Sequence, residues 1–394
     1  MNILFYNEIS FPRSETFIKN QLYNPLIEGK FLATSKIIQN SFDPTLISDY
    51  IIVDTTPVTI VDRILSKIIR VLRGTGKYTF PRSTERLFEG FIRRNRISAI
   101  HCNYGNNAIK FLNISEKLNI PLICHFHGYD SSSLLKDKTY RILIKRVFKH
   151  ASAAITVSQE MTDRLIKIGL KQEKIFKIPY GTDLELYNKN TSKEILHDQK
   201  PIKILHAGRL TAKKGVLDLV KVIQKVLNSH SNILFDIIGE GEEYATIKDY
   251  ITTNNLSNHI KLHGAKDHSI VINAMQEAEI FILNSRRAPN GDMEGYPNAI
   301  IEAMAAKCAV ISTLHAGIPE IINNYENGIL VEENNNNQLY DAIIEMVFNK
   351  KLRVKLQTRA QLKANEKFSI VKMFTEYLNL YNKITYRASS TTQM

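Results

Sequence analysis

Short apolar stretches of strand type alternate with amphipathic helical stretches along almost the whole chain. The first apolar stretch covers residues 2–6, and later ones cover residues 97–103 and 121–125, each followed by a segment with helical spacing. When a helix follows a strand, the next strand usually runs parallel to the first. The pattern therefore predicts an α/β fold with parallel sheets.

A polar segment separates the chain into two halves. A chain of 394 residues is too long for one hydrophobic core, so we expect two domains. Residues 188–200 are polar, and the strand–helix alternation starts again at residues 202–207. We therefore assign residues 1–190 to a first domain, residues 191–367 to a second, and residues 368–386 to a long amphipathic helix.

The net charge of +13 is carried almost entirely by the first half. Residues 1–190 contain 28 Lys and Arg against 17 Asp and Glu, a net charge of +11, whereas the remainder carries +2. This excess predicts an anionic partner, which can be a membrane surface, a nucleic acid or a phosphorylated substrate.

The cysteines and the first residues indicate a reducing compartment. Cys102, Cys124 and Cys308 have no paired spacing, so we expect free thiols. The start of the chain has the pattern of a strand and not of a signal peptide, and no apolar run reaches membrane-spanning length. These features favour a cytoplasmic protein.

The most informative segment covers residues 286–311, where a turn-rich loop leads into a helix. Pro297 suits the first turn of that helix, and Gly295 allows the backbone to approach a ligand closely. N–H groups at a helix start favour an anion, and Glu294 and Glu302 can accept hydrogen bonds from hydroxyl groups. A phosphate next to a sugar meets both requirements. The alternative is that both glutamates are solvated surface residues.

A second candidate site follows the apolar stretch at residues 202–207. Gly208 ends this stretch, and Arg209 and Lys214 lie five residues apart across a short turn before a helix. An arginine can hold two oxygens of a diphosphate while a lysine adds a point charge. The alternative is a pair of solvated basic residues.

Residues 235–244 contain an incomplete dinucleotide-binding pattern. Gly239 and Gly241 follow a strand, but Tyr244 stands where the last glycine of the pattern belongs. We interpret this segment as a tight turn between a strand and a helix. This interpretation disfavours a nicotinamide-dependent oxidoreductase.

Histidines mark the ends of two predicted strands in the first half. His127 follows the strand that ends at His125, and ligands of open α/β sheets bind at such strand ends. His127 can therefore bond a sugar or a phosphate, and the alternative is a structural histidine. His101, close to Asn103 at the end of an earlier strand, is a less specific example.

Together these segments resemble those of the family 4 glycosyltransferases, which are retaining enzymes. The resemblance is carried, in family order, by residues 11–18 (FPRSETFI), 125–130 (HFHGYD), 208–215 (GRLTAKKG), 237–241 (IIGEG), 292–305 (DMEGYPNAIIEAMA) and 312–321 (STLHAGIPEI). The spacing of Glu294 and Glu302 matches the glutamate pair of the family. The chain resembles in particular the exopolysaccharide enzymes of the colanic-acid type. The resemblance implies the GT-B fold, in which two Rossmann-like domains with parallel sheets face each other and a C-terminal helix crosses back to the first domain.

The resemblance also implies roles for individual residues. Arg209 and Lys214 would bind the donor diphosphate, and Glu302 would bond the nucleotide ribose. The implied catalytic residues are His127, Glu294, Arg209 and Lys214. The implied donor site consists of Gly208, Arg209, Lys214, Gly239, Glu294, Gly295, Tyr296, Pro297, Asn298 and Glu302. The implied acceptor side includes Ser14, Glu15, Thr16, His101 and Asp130.

One segment departs from the family pattern. After the helix that carries Glu302, the family usually has a small residue and then Gly-x-Pro-Val. Here residues 306–310 are Ala-Lys-Cys-Ala-Val, so the shape of this turn is open.

We therefore predict a glycosyltransferase that moves a sugar from a nucleotide-diphosphate sugar to a lipid-linked saccharide acceptor, with retention, in cell-surface polysaccharide biosynthesis. We expect no cofactor and no metal, because no Asp-x-Asp pair occurs in a suitable loop. The alternative suggested by the charge, a non-enzymatic nucleic-acid-binding protein, lacks a recognition helix, zinc-ligand spacing and interleaved aromatic and basic residues.

A basic helical segment at residues 58–73 predicts where the protein works. Arg63, Lys67, Arg70 and Arg73 share one face of an otherwise apolar helix, which suits an anionic membrane surface. We expect a cytoplasmic protein held peripherally on the inner face of the cytoplasmic membrane. The alternative is that the apolar side faces the domain core and the charges are only solvated.

Overall fold

The computed structural model describes residues 1–10, 16–37, 42–54, 59–187 and 200–391. The chain divides into two compact units. The first contains Met1–Pro179 together with Met373–Met394, and the second contains Tyr180–Lys372. The boundary predicted near residue 190 falls in the segment 188–199, which lies outside the described residues.

The described strands alternate with helices in both units. The strands are β1 Asn2–Tyr6, β2 Ile9–Ser10, β3 Gly29–Thr34, β4 Lys36–Ile37, β5 Asp49–Ile52, β6 Ala99–Asn103, β7 Leu122–His125, β8 Ala153–Thr156, β9 Ile175–Lys177, β10 Ile202–Ala207, β11 Ile233–Ile238, β12 Ile260–Leu262, β13 Ile280–Leu283, β14 Ala309–Thr313 and β15 Ile329–Val331. The helices are α1 Thr16–Leu22, α2 Ile60–Arg73, α3 Arg82–Arg94, α4 Gly105–Leu118, α5 Lys138–His150, α6 Gln159–Lys167, α7 Val216–Ser229, α8 Tyr244–Thr253, α9 His268–Glu277, α10 Asn298–Ala305, α11 Ile318–Ile321, α12 Asn336–Phe348, α13 Lys350–Lys367 and α14 Ile370–Thr391.

The described part of the first unit contains a seven-stranded sheet with the order β5-β3-β1-β6-β7-β8-β9. Neighbouring strands are parallel, as in the pairs β1–β3 and β1–β6. A separate small sheet pairs β2 with β4. In the order of the main sheet, β6 and β7 are central neighbours, so the residues at their carboxyl ends meet at one edge.

An aromatic cluster fills the core of the first unit on one side of this sheet. The ring of Tyr6 on β1 lies 4.7 Å from that of Phe111 on α4 and 5.9 Å from that of Phe88 on α3, measured between centroids. Phe80 completes the cluster, 5.0 Å from Phe88. Tilted and edge-on ring pairs of this kind stabilise a core beyond the area that they bury.

The last helix, α14, supplies residues to the first unit. Tyr377 and Tyr381 are fully buried, and the Tyr381 hydroxyl lies 2.6 Å from Nδ1 of His101 on β6. Asn24 also donates from its side-chain amide to the carbonyl of Phe374, at 3.2 Å. This helix was predicted over residues 368–386, and the structure extends it to Thr391.

The described part of the second unit contains a six-stranded parallel sheet with the order β12-β11-β10-β13-β14-β15. Its strands are almost wholly apolar, which is typical of parallel strands covered on both faces. Val220 and Ile223 of α7 pack in the same core cluster as Leu339 and Ile343 of α12. The prediction of an α/β protein with two parallel-sheet domains is confirmed.

The cysteines and the helices bear on two further predictions about the whole chain. The three cysteines, all within the described residues, are buried and form no disulfide, as expected. Over the residues that the structure describes, no helix combines the length and the apolar character needed to cross a lipid bilayer.

Candidate active site

Lys214 and Glu294 form a buried ion pair in the second unit. After β10, residues 212–214 form a short 3-10 helix, and Gly215, with a φ of 57°, turns the chain into α7. Lys214 Nζ lies 2.9 Å from Glu294 Oε1, and the two side chains are 11% and 10% exposed. Two residues that were predicted from separate motifs are therefore in direct contact.

The Lys214–Glu294 pair is charged. Burial alone would raise the pKa of the Glu294 carboxyl, but the ammonium groups of Lys214 and Lys213 outweigh burial and lower this pKa to about 2. Burial lowers the pKa of Lys214, and the Glu294 carboxylate opposes that shift. Glu294 is therefore a hydrogen-bond acceptor at neutral pH, and Lys214 keeps further N–H donors for a ligand.

A second ion pair, absent from the sequence prediction, lies beside the first. Lys213 Nζ is 3.0 Å from Asp292 Oδ2, and it also donates to the carbonyl of Met293 at 3.4 Å. Lys213 thus holds the backbone immediately before Glu294. The adjacent lysines at 213 and 214 were the available sequence signal, but spacing alone does not show which residues they contact.

Arg209, Gly208 and His206 surround the ammonium of Lys214. Arg209 is exposed and forms no ion pair within the part of the chain that the structure describes. A Cβ atom built on Gly208 would lie 3.6 Å from His206 Nε2 and 4.0 Å from Lys214 Nζ. His206 Nε2 is buried with no hydrogen-bond partner among the described residues, and burial lowers the pKa of this histidine to about 4. A neutral imidazole and the ammonium of Lys214 therefore lie near the backbone of Gly208.

Gly239 shapes the same loop through a close backbone approach. Its φ is 154°, and a Cβ atom at this position would lie 1.8 Å from the carbonyl oxygen of Gly208. The Gly208 N–H donates to the carbonyl of Ile238 at 3.0 Å. Only glycine fits at residue 239, and the segment forms the turn between β11 and α8. Gly239 therefore shapes the loop that carries Arg209.

The start of α10 presents polar groups without partners. Pro297 is the capping residue, with Asn298 as the first residue of the helix. Asn298 Oδ1 is buried and accepts no hydrogen bond from the described residues. Within the same described residues, the N–H groups of Gly295 and Tyr296 donate to no acceptor, although both residues are buried. Buried polar groups normally have partners, so this helix start is suited to a ligand.

Glu302 lies farther along α10 and contacts residues that the sequence did not suggest. Its Oε1 is 3.7 Å from Nε2 of His268. The hydroxyl of Tyr187 lies 3.2 Å from the same histidine nitrogen. Burial, and next the Glu302 carboxylate, raise the pKa of Tyr187. Glu302 is thus held among hydrogen-bonding groups at a distance from the Lys214–Glu294 pair along the helix.

His315 fixes the backbone of Glu294, a role that the sequence analysis missed. The Glu294 N–H donates to His315 Nε2 at 3.1 Å, and Nδ1 of the same ring lies 2.6 Å from Glu333 Oε1. A ring that accepts at Nε2 carries its proton at Nδ1, so His315 donates to Glu333. Glu333 Oε2 in turn accepts from the backbone N–H of Arg287 at 2.8 Å. The motif at residues 312–321 contained His315, but its partners lie in other segments.

The turn that departs from the family pattern keeps a glycine-like conformation without glycine. Lys307 has a φ of 61°, in the left-handed region. The Cys308 N–H donates to the carbonyl of Ala303 at 2.9 Å, and the Lys307 N–H donates to that of Met304 at 3.1 Å. This is the hydrogen-bonding pattern with which glycine often ends a helix. A lysine there costs about 1 kcal/mol, but the helix still ends in the expected place.

His127 lies in the first unit, after the carboxyl end of β7. Its Nε2 is 3.1 Å from Asn103 Oδ1 at the end of β6, and its backbone N–H donates to Asp130 Oδ1 at 2.8 Å. Asp130 also accepts from the Gly105 N–H at 2.7 Å and is fully buried. Burial raises the pKa of Asp130 to about 6, although these N–H groups oppose the shift. Asp130 therefore positions the loop of His127 and has no exposed surface for an acceptor.

His101 and His125 form a buried network behind His127. His101 Nε2 lies 3.3 Å from His125 Nδ1, and the rings of His125 and His127 are 4.3 Å apart. Burial lowers the pKa of His101 to about 3 and those of His125 and His127 well below their usual value. His101 is fully buried and bonded on both ring nitrogens, so it supports the site and does not itself face an acceptor.

The remaining predicted acceptor residues are only partly covered by the structure. Ser14 and Glu15 lie outside the described residues, and Thr16 is the first residue of α1. Among the residues that the structure describes, no three His, Cys, Asp or Glu side chains are grouped as a metal site would require.

Two family models match the chain, one in each half. The model described as Glycosyltransferase Family 4 matches residues 51–186, and the model described as Glycosyl transferases group 1 matches residues 188–363. The second match contains the Lys214–Glu294 pair, His315 and Glu302, and the first contains His127.

Two of the curated relatives are bacterial proteins named for polysaccharide biosynthesis. The amylovoran biosynthesis glycosyltransferase AmsK of Erwinia amylovora is 31% identical over 237 residues, which are 60% of this chain and 58% of the relative. The putative colanic acid biosynthesis glycosyltransferase WcaL of Escherichia coli is 31% identical over 209 residues, 53% of this chain and 51% of the relative. The chain therefore spans between half and three fifths of the length of these relatives.

Solved structures show the same fold at lower sequence identity. The HepE protein of Anabaena in complex with UDP has a TM-score of 0.80 at 18% identity, and the match covers 97% of this chain and all of that one. Its complex with UDP-glucose gives a TM-score of 0.78, also at 18% identity, with 99% and 100% of the two chains covered.

Proposed function

The chain belongs to the family 4 glycosyltransferases, and on that premise we propose that it transfers a sugar from a nucleotide-diphosphate sugar to a saccharide acceptor in cell-surface polysaccharide biosynthesis. The observation that carries this proposal is the buried Lys214–Glu294 pair beside the backbone of Gly208. Lys214 provides cationic donors for a diphosphate, and Glu294 provides an ionised acceptor for sugar hydroxyls. The relatives AmsK and WcaL, named for exopolysaccharide synthesis, support the same class of product.

The donor binds by its charges at one end and by its hydroxyls at the other. Arg209 is exposed and has no competing ion pair within the described residues, so it is available to the diphosphate. The N–H groups of Gly295 and Tyr296, near the positive end of α10, offer further donors. Glu302, held beside His268, accepts from the ribose hydroxyls. The complexes of HepE with UDP and UDP-glucose support this class of donor.

Transfer breaks the bond between the anomeric carbon and the β-phosphate oxygen. The acceptor hydroxyl oxygen forms the new bond to that carbon, and its proton leaves with the released nucleoside diphosphate. Negative charge develops on the leaving oxygen, and Lys214 and Arg209 stabilise this charge in a site that is already organised. The cations take the part that a metal plays in other sugar transferases, so the proposed reaction needs neither metal nor cofactor. Retention of configuration follows from the family resemblance.

His127 serves the acceptor in this proposal. Its ring is buried, is neutral at physiological pH, and is fixed by Asn103 and by the loop that Asp130 holds. A neutral imidazole bonds a hydroxyl group without attracting a second anion. This property suits an uncharged part of a sugar acceptor.

The acceptor is a lipid-linked saccharide, and the enzyme works at the inner face of the cytoplasmic membrane. The net charge of +11 over residues 1–190 supports an anionic surface as the partner of the first half. The family matches favour this enzyme over the nucleic-acid-binding protein and the nicotinamide oxidoreductase that the sequence also suggested.

The test is release of a nucleoside diphosphate from a panel of nucleotide sugars. The wild-type protein should release it from at least one donor, and the Glu294→Gln and Lys214→Met variants should not. Lys221→Met is the matched control, because Lys221 is about half exposed and its nearest carboxylate lies 3.7 Å away. If the protein neither binds nor cleaves any donor of the panel, or if Lys214→Met keeps wild-type turnover, the proposal is wrong.

A further inference from the structure

Helix α2 is oriented with its polar side towards the first unit and its apolar side outwards. Asp62 accepts from the N–H and the hydroxyl of Ser83 at 3.3 and 2.7 Å, and Ser66 is buried. Arg70 donates to the carbonyl of Thr79 at 3.4 Å. The outward apolar residues are between 37% and 75% exposed: Ile60, Val61, Ile64, Leu65, Ile68 and Val71.

This orientation is the reverse of that of the next helix. Helix α3 has a similar mixture of apolar and basic residues, but its Phe88, Phe91 and Ile92 are buried and its Arg93 and Arg94 are exposed. A surface helix normally turns its apolar stripe towards the core, as α3 does. The alternative, that the apolar side of α2 faces the core, is therefore wrong, and so is the predicted placement of Arg70 on an outer basic face.

The helix is well formed despite its exposed apolar side. The Thr59 side chain accepts from the Asp62 N–H at 3.0 Å, and Gly74, with a φ of 61°, ends the helix. Asp62 and Arg70 attach it by polar contacts. The exposed stripe is therefore a property of a defined surface and not of a frayed segment. Contiguous exposed apolar surface on a soluble unit indicates a binding surface.

The charges next to the stripe select the partner. Arg63 and Lys67 are exposed and lie along one flank of the apolar residues, at helical positions adjacent to them. The acidic residue of the helix, Asp62, bonds Ser83 on the inward side. A symmetric pairing of two copies through this face would bring cations of both copies together. A nucleic acid would neutralise the cations but leave the apolar side chains in water. An anionic bilayer satisfies both groups.

We propose that α2 lies in the plane of an anionic lipid bilayer, with its outward apolar residues among the upper acyl chains and Arg63 and Lys67 at the phosphates. No helix within the described residues can span a bilayer, so insertion in the interfacial plane is the mode that the geometry allows. The inference rests on the proposed function in one respect, because a lipid-linked acceptor would be met at the same surface. Binding to lipid itself does not require that function.

The first test places a single tryptophan in the helix. The chain contains no tryptophan, so one substitution gives a unique probe. Ile68 and Val354 are both 48% exposed, and Val354 lies on α13 of the second unit. With vesicles of phosphatidylglycerol and phosphatidylcholine, the emission of Ile68→Trp should shift to shorter wavelength and be quenched by brominated acyl chains. Val354→Trp should show neither change, and an unshifted Ile68→Trp in the presence of bound vesicles would overturn the proposal.

The second test separates insertion from charge attraction. In co-sedimentation at low salt, Ile64→Glu/Ile68→Glu should lower the vesicle partition coefficient of the full chain at least 10-fold. Arg63→Gln/Lys67→Gln should lower it less, and raised salt should weaken wild-type binding only in part. Both changed pairs are exposed, so folding should be retained, which circular dichroism checks. The proposal is refuted if the Ile64→Glu/Ile68→Glu variant binds vesicles as well as the wild-type protein does, or if the wild-type protein does not bind them. It is also refuted if the wild-type protein is a dimer and this variant is a monomer.

Donor cleavage distinguishes this inference from the proposed function. The Ile64→Glu/Ile68→Glu variant should keep wild-type release of nucleoside diphosphate with a water-soluble acceptor. If neither the wild-type protein nor this variant cleaves a donor while wild-type α2 still inserts, the proposed function fails and the membrane inference stands. If donors are cleaved and α2 does not insert, the proposed function stands and the membrane inference fails.

Discussion

The carboxyl edges of the two sheets carry buried titratable groups of opposite character. In the first unit, His101, His125 and His127 are close together and burial keeps them neutral. In the second unit, Lys214 and Glu294 are almost as deeply buried, yet they remain charged because each faces the other. Burial therefore does not decide the charge of a group; the presence of an opposite charge does.

This difference matches the two halves of a transfer reaction. In the proposed function, the nucleotide-diphosphate donor is negatively charged, and the second unit contains preformed cations and an ionised carboxylate that suit it. The saccharide acceptor has hydroxyl groups, and the first unit contains neutral rings, fixed by hydrogen bonds, that can bond them. If this comparison holds, removal of a charge at the edge of the second sheet should impair the reaction of the donor. Loss of a neutral ring at the edge of the first sheet should impair only the reaction of the acceptor.

The largest effect is expected from removing the cation of the charged edge. Lys214→Met should lower kcat/KM for donor cleavage about 1000-fold, since a donor that stabilises developing charge is lost. It should also destabilise the second unit by about 3–5 kcal/mol, because Glu294 is left buried without its partner. Steady-state kinetics and urea unfolding measure the two effects.

The double variant Lys214→Met/Glu294→Gln sharpens this result. Removing both charges should restore most of the lost stability while activity stays at the level of the single variant. If stability is not recovered, the pair is not the reason that both charges are tolerated.

A smaller loss is expected from the neutral edge. His127→Asn should lower transfer to an acceptor about 100-fold, within the range of a positioned side chain that moves or holds a proton. Donor binding, measured by calorimetry with the nucleoside diphosphate, should not change. A comparable loss of donor affinity would show that His127 belongs to the donor and that the comparison between the edges fails.

As the pH falls, the first unit should lose stability at a higher pH than the second. The folded-state pKa values of His101, His125 and His127 lie below that of a free histidine, so the unfolded chain binds more protons as the pH falls below about 6.5. Each histidine then lowers the free energy of unfolding by up to about 1.4 kcal/mol per pH unit. Asp130, with its pKa raised to about 6, takes up a proton in the folded state and offsets one of the three.

For Glu294 the corresponding loss begins only below the unfolded pKa of about 4.5 and continues towards pH 2. His206 on β10, whose pKa burial lowers to about 4, adds one such loss to the second unit, against a net of two in the first. Hydrogen exchange resolved by peptides should therefore show β6 and β7 less protected than β10 and β13 at pH 5. Equal protection of both sheets at pH 5 would contradict the assignment of neutral histidines.

The smallest effect concerns His315, a buried histidine that bonds a carboxylate at the charged edge. Glu333→Gln should weaken the hold on His315 Nδ1 and so loosen the backbone of Glu294. We expect a decrease of about 10-fold in kcat with a lesser change in KM, in the range of supporting contacts around functional ligands. Glu332→Gln, the neighbouring exposed carboxylate, is the control and should be silent.

The sheets could be predicted from the sequence because they depend on local patterns, and the proposed donor residues also stand in local motifs. Strand–helix alternation is readable residue by residue, and so are Lys214, Glu294 and Glu302 in their motifs. The contacts of His315 could not be predicted in this way, since Glu294 and Glu333 approach it only after three segments have folded together. The contacts of His315 were missed because its partners lie in other segments of the sequence, and not because their residue types are unusual.

Two other features show where local patterns mislead. The spacing of α2 defined an apolar face, but periodicity does not tell which way that face points. The turn at residues 306–310 was left open because it departs from the family pattern, and in the structure Lys307 adopts the left-handed conformation that glycine usually provides at a helix end. At Lys307 the fold overrides a backbone preference that is worth only about 1 kcal/mol.

The first unit is assembled from two separate parts of the chain, and this has a consequence during synthesis. The second unit is continuous in sequence and can fold as soon as Lys372 has left the ribosome. The first unit must wait for Tyr377 and Tyr381, which are made after every residue of the second. Until then His101 lacks the tyrosine hydroxyl that it bonds in the finished protein. The unit that is translated first is thus completed only by residues made after the second unit, and a ribosome stalled near residue 370 would hold a nascent chain in which the first unit still lacks Tyr377 and Tyr381.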